Sequence, residues 1–243
     1  VSWFTRVSYN YLDRYLVNAT LRGDGSSKFA KGNQWGYFPS ASAAWRISEE
    51  PFMEGLKDIF DNLKLRVGYG TAGNDNIDDN MYATSYGSGH YGIGGKDYIT
   101  YVPGKTLGNK DLKWEKTETV NVGLDVSVFG SRLNVGIDWY NNTSKNLLIK
   151  NQIPSSTGYS TLDYANVGTM KNKGWELSLN TKPIFKIGKF SMKAKFNASQ
   201  NQNRVTSMDA SVLSSLNGDF NYKNVTEKDG SYLSRVQIGN APY

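Results

Sequence analysis

Apolar and polar residues alternate with a period of two along most of the chain, which assigns two different sets of side chains to the two faces of extended strands. In the clearest segment Val120, Val122 and Leu124 alternate with Asn121 and Gly123. The same alternation recurs in segments that begin near residues 2, 15, 37, 63, 133, 175 and 190. The pattern predicts an all-β chain with about eight or nine antiparallel strands, each with one apolar face.

The connections between the predicted strands alternate in length. Short ones span residues 12–14, 129–132 and 183–189, and long ones span residues 23–36, 71–113 and 144–165, with another from residue 202 onward. Strands that run alternately up and down bring all the short connections to one end, as in outer-membrane barrels. The connection over residues 48–62 departs from this rule, because it falls at the short end but has room for a helical turn over residues 53–60.

A soluble β-sandwich also shows alternation, so it remains the alternative to a membrane barrel. Sandwich strands usually have five or six residues, whereas most strands predicted here have roughly nine or more, the length that a tilted strand needs to cross a bilayer. Aromatic residues also lie near the strand ends, as in the interfacial girdles of barrels. Examples are Trp3, Tyr37, Trp45, Trp139 and Trp175. These features favour an antiparallel transmembrane β-barrel.

Composition narrows the function further. The chain has no cysteine and a single histidine, His90, so thiolate chemistry is excluded and few acid–base sites can be built. We therefore expect no enzymatic activity. The net charge is +6, but the basic residues are scattered singly, which argues against nucleic acid as a partner. There is no run of 18 apolar residues, which excludes a transmembrane helix but not a barrel.

Two motifs resemble ligand sites but are better explained as loops. Residues 87–92 fit G-x-G-x-x-G, yet neither the buried strand before it nor the helix after it is predicted. Residues 74–79 contain enough carboxylates for calcium, but they lack the glycine and the distant glutamate of an EF-hand loop, and Asn and Asp also favour plain turns. We expect no cofactor and no metal site, although calcium binding by residues 74–79 stays open.

A series of short motifs, in order along the chain, resembles the SusC/RagA family of TonB-dependent outer-membrane receptors. The motifs are TLRGDGSSKF (20–29), WGYFPS (35–40), AWRISEE (44–50), LKLR (63–66), LKWEKT (112–117) and NKGWEL (172–177). The resemblance extends to about Arg204 and is weak beyond it. One departure is Ala30, where the family pattern has glycine.

The resemblance implies a plugged barrel of about 22 strands, of which residues 1–243 are one part. It also implies location in the bacterial outer membrane, a SusD-like surface lipoprotein as a lid, and import of a glycan or oligopeptide powered through the TonB complex. The plug domain, the TonB-contacting box and the N-terminal extension have no counterpart in this sequence. The alternatives are a self-contained small barrel that acts as a passive porin or adhesin, and a soluble binding module.

The alternation also predicts which side chains face lipid and which face the lumen. Facing outward to lipid we expect Val122, Leu124, Val126, Val135, Ile137, Leu177 and Phe196. The predicted lumen-facing charges are Arg6, Arg22, Arg46, Lys64, Arg66, Asp125, Asp138, Glu176, Lys193 and Lys195. Their excess is positive, which fits acidic groups on a plug or, alternatively, acidic cargo.

One long connection is rich in tyrosine and glycine. It contains Tyr82, Tyr86, His90, Tyr91, Tyr98 and Tyr101. Aromatic rings beside polar groups suit sugar rings, and glycine-rich segments allow a loop to move. We therefore expect this loop to contact substrate or the lid partner, with simple space-filling by the tyrosines as the alternative.

Overall fold

A computed structural model describes residues 1–104, 106–152, 159, 161–183, 185–187, 190–208, 220–221 and 235–236. It contains two short 3-10 helices, Ile47–Glu49 and Pro51–Leu56. Its strands are β1 (Ser2–Tyr11), β2 (Tyr15–Gly25), β3 (Trp35–Arg46), β4 (Phe60–Asn74), β5 (Tyr86–Ile93), β6 (Lys96–Pro103), β7 (Thr106–Leu107), β8 (Glu115–Val128), β9 (Leu133–Lys145), β10 (Leu148–Gln152), β11 (Thr161–Asn166), β12 (Thr169–Thr181), β13 (Phe185–Ile187), β14 (Phe190–Met192), β15 (Lys195–Ser207), β16 (Phe220–Asn221) and β17 (Arg235–Val236).

Eight of the strands form one large sheet in the order β1-β2-β3-β4-β8-β9-β12-β15. Every neighbouring pair in this sheet is antiparallel. The strands have between 10 and 15 residues, longer than the usual strand of a soluble sheet. The all-β antiparallel architecture predicted from the alternation is therefore confirmed.

The pairing register keeps the apolar positions in line across all eight strands. One row of directly paired residues runs Tyr11, Tyr15, Trp45, Leu65, Leu124, Ile137, Leu177 and Ala198. A neighbouring row on the opposite face runs Asn10, Leu16, Ala44, Arg66, Gly123, Asp138, Glu176 and Ser199. Because paired residues point to the same side of a sheet, the sheet has one apolar and one polar face.

Tight turns join β1 to β2 and β8 to β9 at one end of the sheet, which we call the short-turn end. Leu12 and Asp13 have φ of 53° and 54°, and the backbone N–H of Arg14 donates to the carbonyl of Tyr11 at 3.0 Å. Positive φ at both central residues is the primed turn that matches the twist of a hairpin. The next short turn uses Phe129, Gly130 and Ser131 in the same left-handed region.

Two details at this end differ from the sequence prediction. The helical turn expected over residues 53–60 begins earlier, as the two 3-10 helices, because Pro51 starts the second of them and β4 already begins at Phe60. The strand expected to start at residue 190 is divided. Its first part, β14, pairs with β13 in a small hairpin. The main ladder ends near Thr181, whose hydroxyl accepts a hydrogen bond from the Ala194 N–H at 2.8 Å.

The opposite end, which we call the long-loop end, carries residues 26–34, 75–114 and 146–168. Within these connections the structure adds the hairpin β5–β6 and the small sheet β10-β11-β7, which the sequence had not predicted as strands. A compact apolar cluster, which we call the loop core, joins all three connections. Its buried members are Phe29, Ile77 and Leu112, with Met81, Trp114, Leu148 and Tyr164 packed against them.

No helix in the described part of the chain is long and apolar enough to cross a membrane.

Candidate functional site

The polar face carries an ion-pair network across three neighbouring strands. Arg66 on β4 donates from Nε and Nη2 to both carboxylate oxygens of Asp125 on β8, each at 2.9 Å, and from Nη2 to Asp138 on β9 at 3.1 Å. Lys64 also pairs with Asp125 at 3.1 Å. A side chain at Gly123 would meet the Arg66 guanidinium and the Asp138 carboxylate, so the glycine leaves the space that the network fills.

Apart from Lys193, the predicted lumen-facing charges share this face by register. Arg22 pairs with Asp24 at 2.7 Å and Arg46 with Glu49 at 3.1 Å. Glu176 lines an open cavity of about 340 Å³ beside Asp138. Lys193 lies between β14 and β15, outside regular strand, because the strand that was expected to carry it is interrupted there.

Five of the six residues that were predicted to contact substrate or the lid partner lie in the hairpin β5–β6. They are Tyr86, His90, Tyr91, Tyr98 and Tyr101. On one face Tyr91 pairs with Tyr98, with ring centroids 6.1 Å apart. On the other face His90 Nδ1 lies 2.9 Å from Asp97 Oδ2. This second face also carries Tyr86 and Tyr101, which are 66% and 83% exposed. Tyr82 is not part of the hairpin and lies half-buried in the turn that precedes it.

Hydrogen bonds join the connections that build the loop core to one another. The indole Nε1 of Trp114 donates to the carbonyl of Gln34 at 3.1 Å, and the Asn109 amide donates to the carbonyl of Tyr164 at 3.2 Å. Phe38 packs edge-on against Trp114 and fills the space beside Gly73. Sequence reasoning missed this cluster. A signal was present at Phe38, an apolar residue at a polar position of the β3 alternation.

A second missed cluster lies at the short-turn end. Glu50 is 8% exposed and accepts hydrogen bonds from the Tyr15 hydroxyl at 2.6 Å and the Trp45 indole at 2.9 Å. Arg14 lies 3.7 Å from the same carboxylate. These hydrogen bonds, that from Tyr15 first, lower the pKa of Glu50 below its ordinary value. The cluster anchors two aromatic residues of the apolar face to the connection beneath them.

No group of three or more His, Cys, Asp or Glu side chains able to hold a metal ion occurs among the described residues. In the segment 74–79, the Asn74 side chain accepts from the backbone N–H of Asn76 at 3.0 Å, which is the local bond of an Asx turn.

An antiparallel sheet of long strands, with one apolar face, one polar face and its two longest connections at one end, has the features of a transmembrane β-barrel wall. The chain matches the family described as TonB dependent receptor-like, beta-barrel, over residues 1–241, and it belongs to that family. This is a family of receptors and transporters rather than of enzymes.

Individual relatives place the chain on the SusC/RagA side of the family. It is 40% identical to TonB-dependent receptor P39 of Formosa agariphila over 84% of this chain and 19% of the relative. It is 38% identical to TonB-dependent receptor SusC of Bacteroides thetaiotaomicron over 86% of this chain and 21% of the relative. The chain therefore spans about a fifth of the length of these relatives.

Solved structures agree with this placement. The RagAB peptide importer in its open-open state superposes with a TM-score of 0.83 at 26% identity, covering 98% of this chain and 24% of that one. Its closed-closed state gives a TM-score of 0.81. The resemblance to the SusC/RagA family drawn from the sequence motifs is confirmed.

Proposed function

We propose that residues 1–243 form part of the barrel wall of a TonB-dependent importer in the bacterial outer membrane. The observation that carries the proposal is the division of the eight-stranded sheet, along its directly paired rows, into an apolar and a polar face. In this arrangement the apolar face contacts lipid and the polar face lines the lumen, because only a closed barrel satisfies strand backbone groups within a bilayer. The long-loop end then faces the cell exterior.

The energy-coupling parts of the importer lie outside these residues. A plug domain that fills the lumen and a segment that contacts the TonB complex are expected in the remaining four-fifths of a receptor of the relatives' length. The exposed side chains of Arg6 and Glu176 are available on the polar face for contact with such a plug.

The proposed cargo is a glycan or an oligopeptide nutrient. Similarity to the RagAB peptide importer favours peptide, and the exposed tyrosines of the β5–β6 hairpin offer stacking surfaces for sugar rings or aromatic side chains. A SusD-like lipoprotein is proposed as the lid over the long-loop end. The hairpin belongs to the connection between β4 and β8, which lies at this end, and either cargo or lid would contact it there.

Growth experiments test the import function. A strain that lacks the full-length receptor should lose growth on one class of nutrient, either an oligopeptide mixture or a polysaccharide hydrolysate, supplied at low concentration. Deletion of TonB should give the same loss, because import requires energy. If the receptor instead conducts ions in a planar bilayer and supports growth without TonB, the chain belongs to a passive pore and the proposal fails.

Contact through the hairpin is tested one face at a time. We expect Y91A/Y98A or Y86A/Y101A, made in the full-length receptor, to reduce uptake or co-purification of the lid at least several-fold, since stacked aromatic contacts are lost. The matched control is K96A at the start of β6, next to the hairpin turn, which removes no ring. Normal uptake and normal lid binding in both double variants, with the barrel folded, would show that the tyrosines only fill space.

A further inference from the structure

A group of basic side chains lies on the apolar face just beyond its aromatic border at the long-loop end. Trp139 and Trp175 pair across β9 and β12 and are 45% and 41% exposed. Further along β12 toward the long loops, on the same face by alternation, come Lys173 and Lys171, both exposed. Arg204 of β15 pairs with Lys171 and is exposed on that face as well.

These three cations, which we call the basic patch, have no acidic partner in the described part of the chain. On the neighbouring strand β9, Lys145 forms an ion pair with Glu118 of β8 at 2.7 Å on the same face. Among the residues that the structure describes, the basic patch therefore carries three charges without an acidic partner on two adjacent strands. Such a concentration attracts an anionic group.

The surface between the basic patch and the tryptophans is concave. An open cavity of about 400 Å³ is lined by Trp139, Lys173, Trp175, Gln200 and Gln202, together with the backbone at residues 174 and 201. The Trp175 indole donates to Gln200 Oε1 at 3.0 Å, which fixes the ring at the edge of the cavity. With the Gln202 amide oxygen turned toward it, the Arg204 guanidinium donates to that oxygen at 2.8 Å. The cavity thus combines ring faces, amides and the Lys173 cation, and Arg204 lies beside it through Gln202.

The height of the basic patch matches the headgroup layer of a bilayer. Tryptophans of a barrel lie at the interface between hydrocarbon and headgroups. At about 3.4 Å per residue, Lys173 and Lys171 lie about 7 and 14 Å beyond Trp175 along the strand. A strand tilt of about 40° reduces these distances to roughly 5 and 10 Å along the membrane normal. The headgroup layer is about 5–8 Å deep, so Lys173 lies within it, and the long Lys171 side chain reaches back into it from just beyond its outer edge.

We propose that the basic patch binds the phosphate groups of a phosphorylated glycolipid in the outer leaflet. The cations pair with phosphate, and Trp175, Gln200 and Gln202 contact the sugar to which the phosphate is attached. This inference rests on the proposed location in the outer membrane with the long-loop end outward. A lipid fits better than a protein partner, because the basic patch is continuous with the lipid-facing side chains Leu177 and Ile137.

Binding is measured on the full-length receptor in neutral detergent micelles by titration with diphosphoryl lipid A and with its dephosphorylated form. We expect tight binding of the phosphorylated form alone. In K171Q/K173Q/R204Q the affinity should fall by about 100-fold at low salt, at roughly fivefold for each cation. The matched control K31Q/K57Q/K110Q removes the same charge from exposed connections and should bind as the unsubstituted receptor does.

Folding of each variant is checked by its heat-dependent electrophoretic mobility. If the triple variant does not fold, K171Q and K173Q serve singly, and K171R/K173R should retain binding. Equal affinity for both lipid forms, or full affinity in the folded triple variant, overturns the inference. So does a variant that keeps lipid affinity but no longer co-purifies with the lid, since the basic patch would then bind protein. Cell fractionation separates the two proposals: a receptor absent from the outer membrane refutes the proposed function itself.

Discussion

At the scale of single residues, Arg66 forms ion pairs with two carboxylates on the polar face. One guanidinium joins three strands, because it contacts carboxylates on both β8 and β9 from its own position on β4. The side chains of Arg66, Asp125 and Asp138 are 28–34% exposed, so the network is neither buried in a core nor fully in water. Without the arginine, two carboxylates on neighbouring strands would repel each other with only Lys64 to compensate.

The substitution R66M in the full-length receptor should therefore lower the free energy of unfolding by about 1–3 kcal/mol. Addition of D125N and D138N should recover part of this loss, because the like charges are removed. Urea unfolding in lipid vesicles measures both effects. A triple variant that is no more stable than R66M would show that repulsion between the carboxylates is not the cause.

Glu50 introduces a dependence of stability on pH. Its pKa is lowered in the folded chain, by hydrogen bonds from Tyr15 and then Trp45, so folding favours the charged carboxylate. A lowered folded pKa gives stability that is fully present above the unfolded pKa. That stability is lost as the pH falls through the folded pKa.

We expect the unsubstituted receptor to be more stable than E50Q at neutral pH and the difference to vanish under acid conditions. Unfolding midpoints of both proteins across the pH range measure this, with E54Q as the control, since Glu54 is exposed in the same connection. A constant difference between the unsubstituted receptor and E50Q at all pH values would assign the role of Glu50 to packing rather than to charge.

At the scale of elements, each long strand has two faces that tolerate different residues. Leu124 lies on the apolar face of β8, and L124R should cost about 2–4 kcal/mol near the bilayer midplane. The control is N121R on the same strand, because Asn121 lines an open cavity of about 470 Å³ on the polar face. Folding yield and urea midpoints in lipid measure both. Equal losses for the two variants would contradict the assignment of faces.

The long strands could be predicted from sequence because period-two alternation is strong where one face is apolar. The hairpin β5–β6 could not, since its faces each mix glycine, tyrosine and polar residues, as in Gly87, Gly89 and His90. The pairing of the strand at residue 190 could not be predicted from the sequence either. Phe190 and Met192 continue the alternation of β15, but the interruption at Ala194 depends on a hydrogen bond to Thr181 that only the fold brings together.

The alternation predicted that the charged site residues share one face of the sheet, but it did not predict that some of them form an ion-pair network. Alternation put Arg66 and Asp138 on one side of the sheet, whereas their contact depends on Gly123 between them, which leaves the space open. The Glu50 cluster was missed because Tyr15 is 35 residues away from Glu50 in the sequence, and Glu50 itself lies in a connection without periodicity. Whether the loop tyrosines contact cargo or lid stays a prediction.

At the scale of the whole molecule, the loop core makes the three long connections one packed unit. Leu112 has no exposed surface, and L112A should destabilise this unit by about 2–5 kcal/mol, because a cavity replaces a buried side chain. Faster hydrogen exchange over residues 26–34 and 75–81 measures the loss. The control I99A removes an aliphatic side chain that is 72% exposed on β6 and should leave that exchange unchanged. Identical exchange in L112A would mean that the connections are held by their hydrogen bonds instead.

The sequential order of the large sheet has a consequence for how such proteins diverge. Each tight turn returns the chain to the end from which it came, so a hairpin is a complete unit of two strands with its faces already assigned. Duplication or loss of one hairpin leaves every other residue on the side it had before. A lineage can therefore change the width of its pore in steps of two strands while the lipid-facing residues stay as they are, which explains why single-chain barrels of bacteria have even strand numbers.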